Sequence, residues 1–134
     1  RVYSADVALD DSQAALWFKR GNAYYRLGDF NRAVAGYTRA IQLAPTDALW
    51  FNRGVAYQHV GNLVSALSDY SEAIRLAPTD TTIWRARASV LDDLGEHARA
   101  IADCTEALRL DPALAVAWQT RAIVHRKMGQ FSEA

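Results

Sequence analysis

The sequence predicts an all-α chain built from repeated helix pairs, and three observations carry that expectation. The tryptophans fall at Trp17, Trp50, Trp84 and Trp118, in steps of 33, 34 and 34 residues. Gly28, Gly61, Gly95 and Gly129 keep the same steps, as do Ala33, Ala66, Ala100 and Ala134, and Pro45, Pro78 and Pro112 follow. Between these markers apolar residues recur at three- and four-residue spacing, the period of a helix with one buried face. Markers of such different chemistry sharing one period indicate a repeat architecture, in which each unit buries its apolar face only against its neighbours.

The opening segment already carries the pattern. Tyr3, Val7 and Leu9 stand 34 residues before Tyr37, Ile41 and Leu43. Residues 1–13 are therefore expected to be the second helix of a truncated preceding repeat, and Arg1 a cut edge. Asp11 stands where later repeats have proline, and Ser12 is the expected cap of the next helix.

Three full repeats follow, at 14–46, 47–80 and 81–114, with a truncated final one at 115–134. In the first, Trp17, Tyr24 and Leu27 give an apolar stripe to a helix over 14–27, and Gly21 lies on the same face. Gly28 ends that helix, because glycine enters the left-handed region at low cost. Asp29 then offers a capping oxygen to a second helix over 30–43, built on Val34, Tyr37, Ala40 and Ile41 and stopped by Pro45. Thr46 and Asp47 cap the next helix. The same grammar predicts helices near 48–60, 63–76, 82–94, 97–110 and 116–128, with Ala134 a few residues into one more.

Gly21 and Gly54 each cost about 1 kcal/mol against alanine inside a helix. That cost is tolerable where a missing side chain admits the paired helix, with Ala33 and Ala66 the expected opposite numbers. Ala88 and Ala122 replace these glycines later, which predicts wider helix pairs there.

The run Trp-x-x-Arg-Gly-x-x-Tyr, then Ala-x-x-x-Tyr, then Pro, at Trp17, Arg20, Gly21, Tyr24, Ala33, Tyr37 and Pro45, resembles the tetratricopeptide repeat. The resemblance covers essentially the whole chain, as a single array over 1–134. It implies a right-handed α-α superhelix, a solenoid whose concave groove is lined by the first helix of each pair. Three departures stand out. Arginine replaces the usual leucine at Arg20, Arg53, Arg87 and Arg121; Cys104 replaces the aromatic of Tyr37 and Tyr70; Leu91 and His125 replace Tyr24 and Tyr57.

Composition narrows the function. Fifteen basic residues balance fifteen acidic ones, so no net charge points to nucleic acid or an anionic membrane. No apolar run approaches the length of a membrane span. A single cysteine excludes an internal disulfide framework and fits a reducing, cytoplasmic setting. His59, His97 and His125 lie too far apart in sequence to form a metal site on one helix, and no cofactor motif is present. His97 and His125 occupy helix-packing sites, while His59 faces the groove. Cys104 takes a core position, and a buried thiol is inert. Asp92 and Asp93 point about 100° apart on one helix and read as a solvated acidic lip. The arginines read as structural, with Arg53 reaching Asp69 and Arg87 reaching Asp103; Arg20 faces Gly36 and needs another partner.

Turning each first helix away from its tryptophan gives the groove face. Phe18, Lys19, Asn22, Tyr25 and Arg26 lie on it in the first repeat, and Phe51, Asn52, Val55, Gln58 and His59 in the second. The third contributes Arg85, Ser89, Asp92 and Asp93, and the fourth Gln119, Ile123, Arg126 and Lys127. Water-facing Phe18, Tyr25 and Phe51 beside asparagine amides read as a binding surface. The peptide- or partner-binding residues expected are Phe18, Lys19, Asn22, Tyr25, Arg26, Phe51, Asn52, Val55, Arg85 and Ser89, with no catalytic and no metal site.

The resemblance implies a non-enzymatic scaffold that holds a peptide or helix of another protein. Some members of the family grip the carboxylate of chaperone tails with a lysine, two asparagines and a lysine–arginine pair. Asn22 and Asn52 match the asparagines, but Phe18 takes the lysine site, and Thr82 and Ala86 take the last pair, so that activity is not expected. Two other readings stay open: an array that self-associates through truncated ends, and a regulatory or targeting domain of a larger protein whose catalytic part lies elsewhere.

Overall fold

The computed structural model describes residues 5–133, with side chains from Leu9 to Gly129. Seven helices follow one another: α1 Ala5–Arg26, α2 Phe30–Leu43, α3 Asp47–His59, α4 Leu63–Leu76, α5 Thr81–Asp93, α6 His97–Leu110 and α7 Ala115–Glu133. No strand occurs among the described residues. The chain divides into two compact units, Arg1–Leu76 and Ala77–Ala134. In the first, α1 packs on α2, α2 on α3 and α3 on α4; in the second, α5 packs on α6 and α6 on α7.

The turns form as their residues dictate. Gly28, Gly61 and Gly95 all adopt positive φ, from 80° to 84°, so each closes a first helix in the left-handed conformation. The Asp29 carboxylate then accepts from the Arg32 amide, and the Asn62 side-chain oxygen from the Ser65 amide, starting α2 and α4. Thr46 caps α3 through the Leu49 amide. The connections into α5 and α7 are one residue longer than the one into α3. There Trp84 and Trp118 donate their indole N–H to the carbonyls of Pro78 and Pro112, both at 2.9 Å.

Two boundaries differ from expectation. No separate helix ends before Ala14; residues 1–4 lie outside the described residues, and from Ala5 the helix runs unbroken through Ser12 into α1. With Asp11 in place of proline nothing interrupts the helix. Likewise α7 runs through Gly129 to Glu133 instead of ending at 128. Glycine alone does not stop a helix.

Close approach of the pairs depends on the glycines, but not against the alanines expected. A Cβ on Gly21 would lie 2.7 Å from the Tyr37 ring, and one on Gly54 would lie 2.7 Å from the Tyr70 ring. On α2, a Cβ on Gly36 would meet the Gly21 backbone at 3.1 Å. Ala33 and Ala66 are fully buried core residues in their own right. In the pair α5–α6 the same register carries Ala88 past Cys104. The larger residue on the first helix faces a smaller one on the second, so alanine there does not require a wider pair.

The arginines complete the packing. Arg53 donates to both oxygens of Asp69 at 2.8 Å and to Thr38 at 3.2 Å. Arg87 donates to both oxygens of Asp103, at 2.7 and 2.9 Å. Each guanidinium also lies over the tryptophan one turn before it, 4.4–5.1 Å from the ring centre across Arg20, Arg53, Arg87 and Arg121. For Arg20, Trp17 is the partner that Gly36 does not supply.

Candidate functional site

Helical spacing puts Asn22 and Tyr25 on one face of α1, and Phe51, Asn52 and Val55 on one face of α3. The structure brings these five together around a cleft of about 300 Å³, with Tyr37 of α2 as its floor. No carboxylate lines it. The Tyr37 hydroxyl donates to the side-chain oxygen of Asn22 at 2.6 Å. That bond leaves the Asn22 amide hydrogens as its remaining donors. Burial, with Tyr25 adding to it and the Arg26 charge opposing it, pushes the Tyr37 hydroxyl up to about 12. Tyr37 therefore keeps its proton near neutral pH and holds Asn22 in one orientation.

Tyr25 is held from two further helices. Its hydroxyl lies 3.1 Å from Nε2 of His59 on α3, and its ring meets Phe30 of α2 edge-on at 5.4 Å. His59 in turn stacks flat on Phe30, 4.3 Å between centroids. Tyr37 read as core and Phe30 as a helix start, so their part in shaping the cleft was not anticipated. The signal was the fifteen-residue separation of Asn22 and Tyr37, which spans one helix turnaround.

The aromatics are less free than expected. Phe18, Tyr25 and Phe51 are half-buried. Phe18 leans edge-on against Tyr37 at 6.0 Å between centroids, and Phe51 lies tilted against Tyr70 at 5.5 Å. The second-helix tyrosines that fill the glycine gaps offer ring faces and edges, and the first-helix phenylalanines fold down onto them. Each phenylalanine keeps one side open. Phe51 lines the cleft, and Phe18 lines a second hollow of about 420 Å³ walled by Ala14, Ala15, Ala44, Pro45 and Leu49. Lys19 and Arg26 are exposed.

Arg85 and Ser89 belong to the second unit, half-buried on α5. The acidic lip expected there is not solvated as a whole. Asp93 is exposed, but Asp92 accepts from Lys127 of α7 at 2.7 Å and lies 2.9 Å from Nδ1 of His97. Burial opposes ionisation of Asp92, but the Lys127 and His97 hydrogen bonds outweigh it and hold the carboxyl below its ordinary value. His125, expected to pack between helices, is exposed on α7. Cys104 is fully buried, and burial, with Asp103 beside it, pushes its thiol up. It is not a nucleophile in this setting. No described helix is long and apolar enough to cross a membrane.

The cleft is a place for hydrogen bonding and apolar contact between two first helices, and known proteins share the frame that builds it. Solved structures with this fold include the Arabidopsis OM64 TPR domain, 24% identical with a TM-score of 0.82 over 88% of this chain and 98% of that one. The second TPR domain of human RPAP3, solved in complex with the HSP70 peptide SGPTIEEVD, is 24% identical with a TM-score of 0.79 over 89% and 98%. The TPR2B domain of yeast Sti1, in a pHsp70 complex, is 21% identical with a TM-score of 0.81 over 87% and 98%. No curated protein matches the chain. Three tetratricopeptide repeat profiles match in succession, at residues 14–47, 48–80 and 82–114. With those matches covering most of its length, this chain belongs to the tetratricopeptide repeat family.

Proposed function

We propose that this chain is a non-enzymatic interaction module that holds an extended peptide or a helix of a partner protein, with the α1–α3 cleft as the centre of contact. One observation carries the reading: two asparagine side chains, one of them oriented by a buried tyrosine, flank apolar and aromatic walls in a space of about 300 Å³. Amides of this kind bond a peptide backbone in either direction, and half-buried aromatics add contact at little entropic cost. Phe18, Lys19 and Arg26 extend the surface along α1. Arg85 and Ser89 offer contacts of the same kind on α5. The peptide complexes of RPAP3 and Sti1 support a peptide as the ligand class. Phe18, Thr82 and Ala86 stand in place of three cations of the chaperone-tail grip, so another sequence than a chaperone tail is the ligand.

The test is affinity capture of a partner by the parent chain, followed by titration of that partner's peptide into Asn52→Ala and Phe51→Ala. Each is expected to weaken binding about tenfold. Asn52→Ala should leave the urea midpoint where it is. Undiminished binding by both variants would rule the cleft out. A second reading, self-association, is favoured by Val116, Trp118 and Ile123, all more than two-fifths exposed on α7. A strict monomer in sedimentation at high concentration would exclude it.

A further inference from the structure

Phe18 joins two spaces on the groove side of the first unit. It rests on Tyr37, the floor of the α1–α3 cleft, and also walls the hollow of about 420 Å³. Ala14, Ala15 and Leu49 close that hollow together with the 44–46 connection. All of these walls belong to one unit. On α3 the side chains turned toward the preceding helix are Leu49, Arg53 and Ala56: Leu49 and Ala56 are buried, and Arg53 donates to Thr38 of α2. Their counterparts on α1, Leu16, Arg20 and Ala23, lie by helix phase on the side roughly opposite Ala14 and Phe18. A helix packed on that side would leave the hollow as it is.

The chemistry of the hollow selects its occupant. Thr46 is engaged in capping α3 at 3.3 Å, and Asp11 is the one ionisable residue among those that line the space. No cation lines the hollow or the cleft; Lys19 and Arg26 lie outside both. An acidic side chain seated there would lose water and meet Asp11 without a counter-charge. An uncharged apolar one would exchange water for alanine, proline, leucine and phenylalanine surface. Asn22 in turn sets the form of the ligand. Its side-chain oxygen is taken by Tyr37 at 2.6 Å, so it meets a ligand through its amide hydrogens and needs a carbonyl. A helix uses its own main-chain carbonyls, whereas an extended segment leaves them open. Phe18 and Asn22 stand about 6 Å apart along α1, the span of two residues of extended chain, whose side chains share a face.

We propose that the partner of the α1–α3 cleft is an extended peptide that seats one bulky apolar side chain in the Phe18 hollow, two residues from the residue whose main-chain carbonyl Asn22 bonds. This rests on the cleft reading and adds to it an anchor, a spacing and a backbone conformation.

The probe is a display library of short random peptides selected on the full parent chain, with the best binder then synthesised. That peptide is expected to carry one apolar residue of leucine size or larger whose change to alanine weakens binding to the parent about tenfold. The same change should move the backbone amide signals of Ala15, Phe18 and Leu49 and leave that of Asn52 in place. Ala15→Trp, which fills the hollow from an exposed helix position, should cost about as much and remove the difference between the two peptides. If Ala15→Trp also shifts the urea midpoint, the alanine peptide on the parent chain decides by itself. Asn52→Ala should weaken both peptides by the same factor. The proposal is overturned if no peptide is enriched, if the residue that matters is charged, or if the binder ignores both Ala15→Trp and its own alanine change. Loss with Asn52→Ala alone overturns the anchor and leaves the cleft standing, whereas loss with Ala15→Trp alone overturns the cleft and this proposal with it. A dimer seen in sedimentation and dissolved by Ala15→Trp would make a second copy the occupant, and it equally overturns the peptide.

Discussion

The guanidinium of Arg53 meets the carboxylate of Asp69 through two hydrogen bonds of 2.8 Å, one from Nε and one from Nη2, in the seam between α3 and α4. Their side chains are 16% and 3% exposed. A pair this enclosed is costly to break on one side, because the surviving charge is left in a medium that solvates it poorly. Asp69→Ala should destabilise the first unit by about 3 kcal/mol. Replacing both partners, Arg53→Met with Asp69→Leu, should restore most of that loss. Urea unfolding of the three variants checks it. Equal losses in the single and double variants would show that packing, not charge, holds this seam.

Gly54 and Tyr70 make a second close pair. Alanine normally favours a helix over glycine by about 1 kcal/mol. At Gly54 the added methyl would lie 2.7 Å from the Tyr70 ring, so the ring or the helix must move. Gly54→Ala should therefore destabilise by about 2 kcal/mol, the range of overpacked cores. In a double-mutant cycle with Tyr70→Cys, the two losses should fall short of additivity by at least about 1 kcal/mol. Additive losses would mean that the two sites do not share the same space.

Tyr37 gives a prediction at alkaline pH. Its hydroxyl ionises near 12 in the folded chain, against about 10 for a free phenol. Between those values the unfolded chain has released a proton that the folded chain still holds, so stability falls as pH rises. Tyr37→Phe should show a shallower fall over that window. At neutral pH it should lose about 1 kcal/mol with the bond to Asn22. Unfolding midpoints at pH 7, 10 and 11 are the measurement.

Asp92 works in the opposite direction. Its folded carboxyl lies below the ordinary value, so its contribution is complete above about pH 4 and disappears as pH falls through the lowered value. Asp92→Asn should be less stable than the parent at pH 7 and indistinguishable from it in strong acid. The same convergence is expected for Lys127→Met, which removes the donor 2.7 Å away.

Local rules carried most of the fold. Gly28, Gly61 and Gly95, each followed by a cap or an acidic residue, placed six helix boundaries within a residue or so, because a left-handed glycine and a capping oxygen act over one turn. The reading failed where a helix had no strong stop. Asp11 and Gly129 keep the period of the repeat without the proline or cap that breaks a helix. Pair partners across a helix seam were half legible. Opposite charges made the Arg53–Asp69 and Arg87–Asp103 pairs readable, but nothing in composition says that Gly21 faces a tyrosine ring and not Ala33. At the cleft, the residues on α1 and α3 followed from helix phase. Tyr37 did not, because a residue can be buried in its own pair and still form the floor beneath two neighbours. Phe18 and Phe51 were misjudged for the same reason, since helix phase gives a direction and not what the ring leans on.

The Gly21–Tyr37 and Gly54–Tyr70 contacts, beside the Ala88–Cys104 register, bear on how such a protein tolerates rearrangement. Units that look interchangeable by period are sized to their own mates. A helix exchanged between the third pair and either of the first two would arrive with either a ring where no gap exists or a gap that nothing fills. Chimeras that exchange whole pairs should fold, while those that exchange a single helix of the third pair with its counterpart in the first two should not.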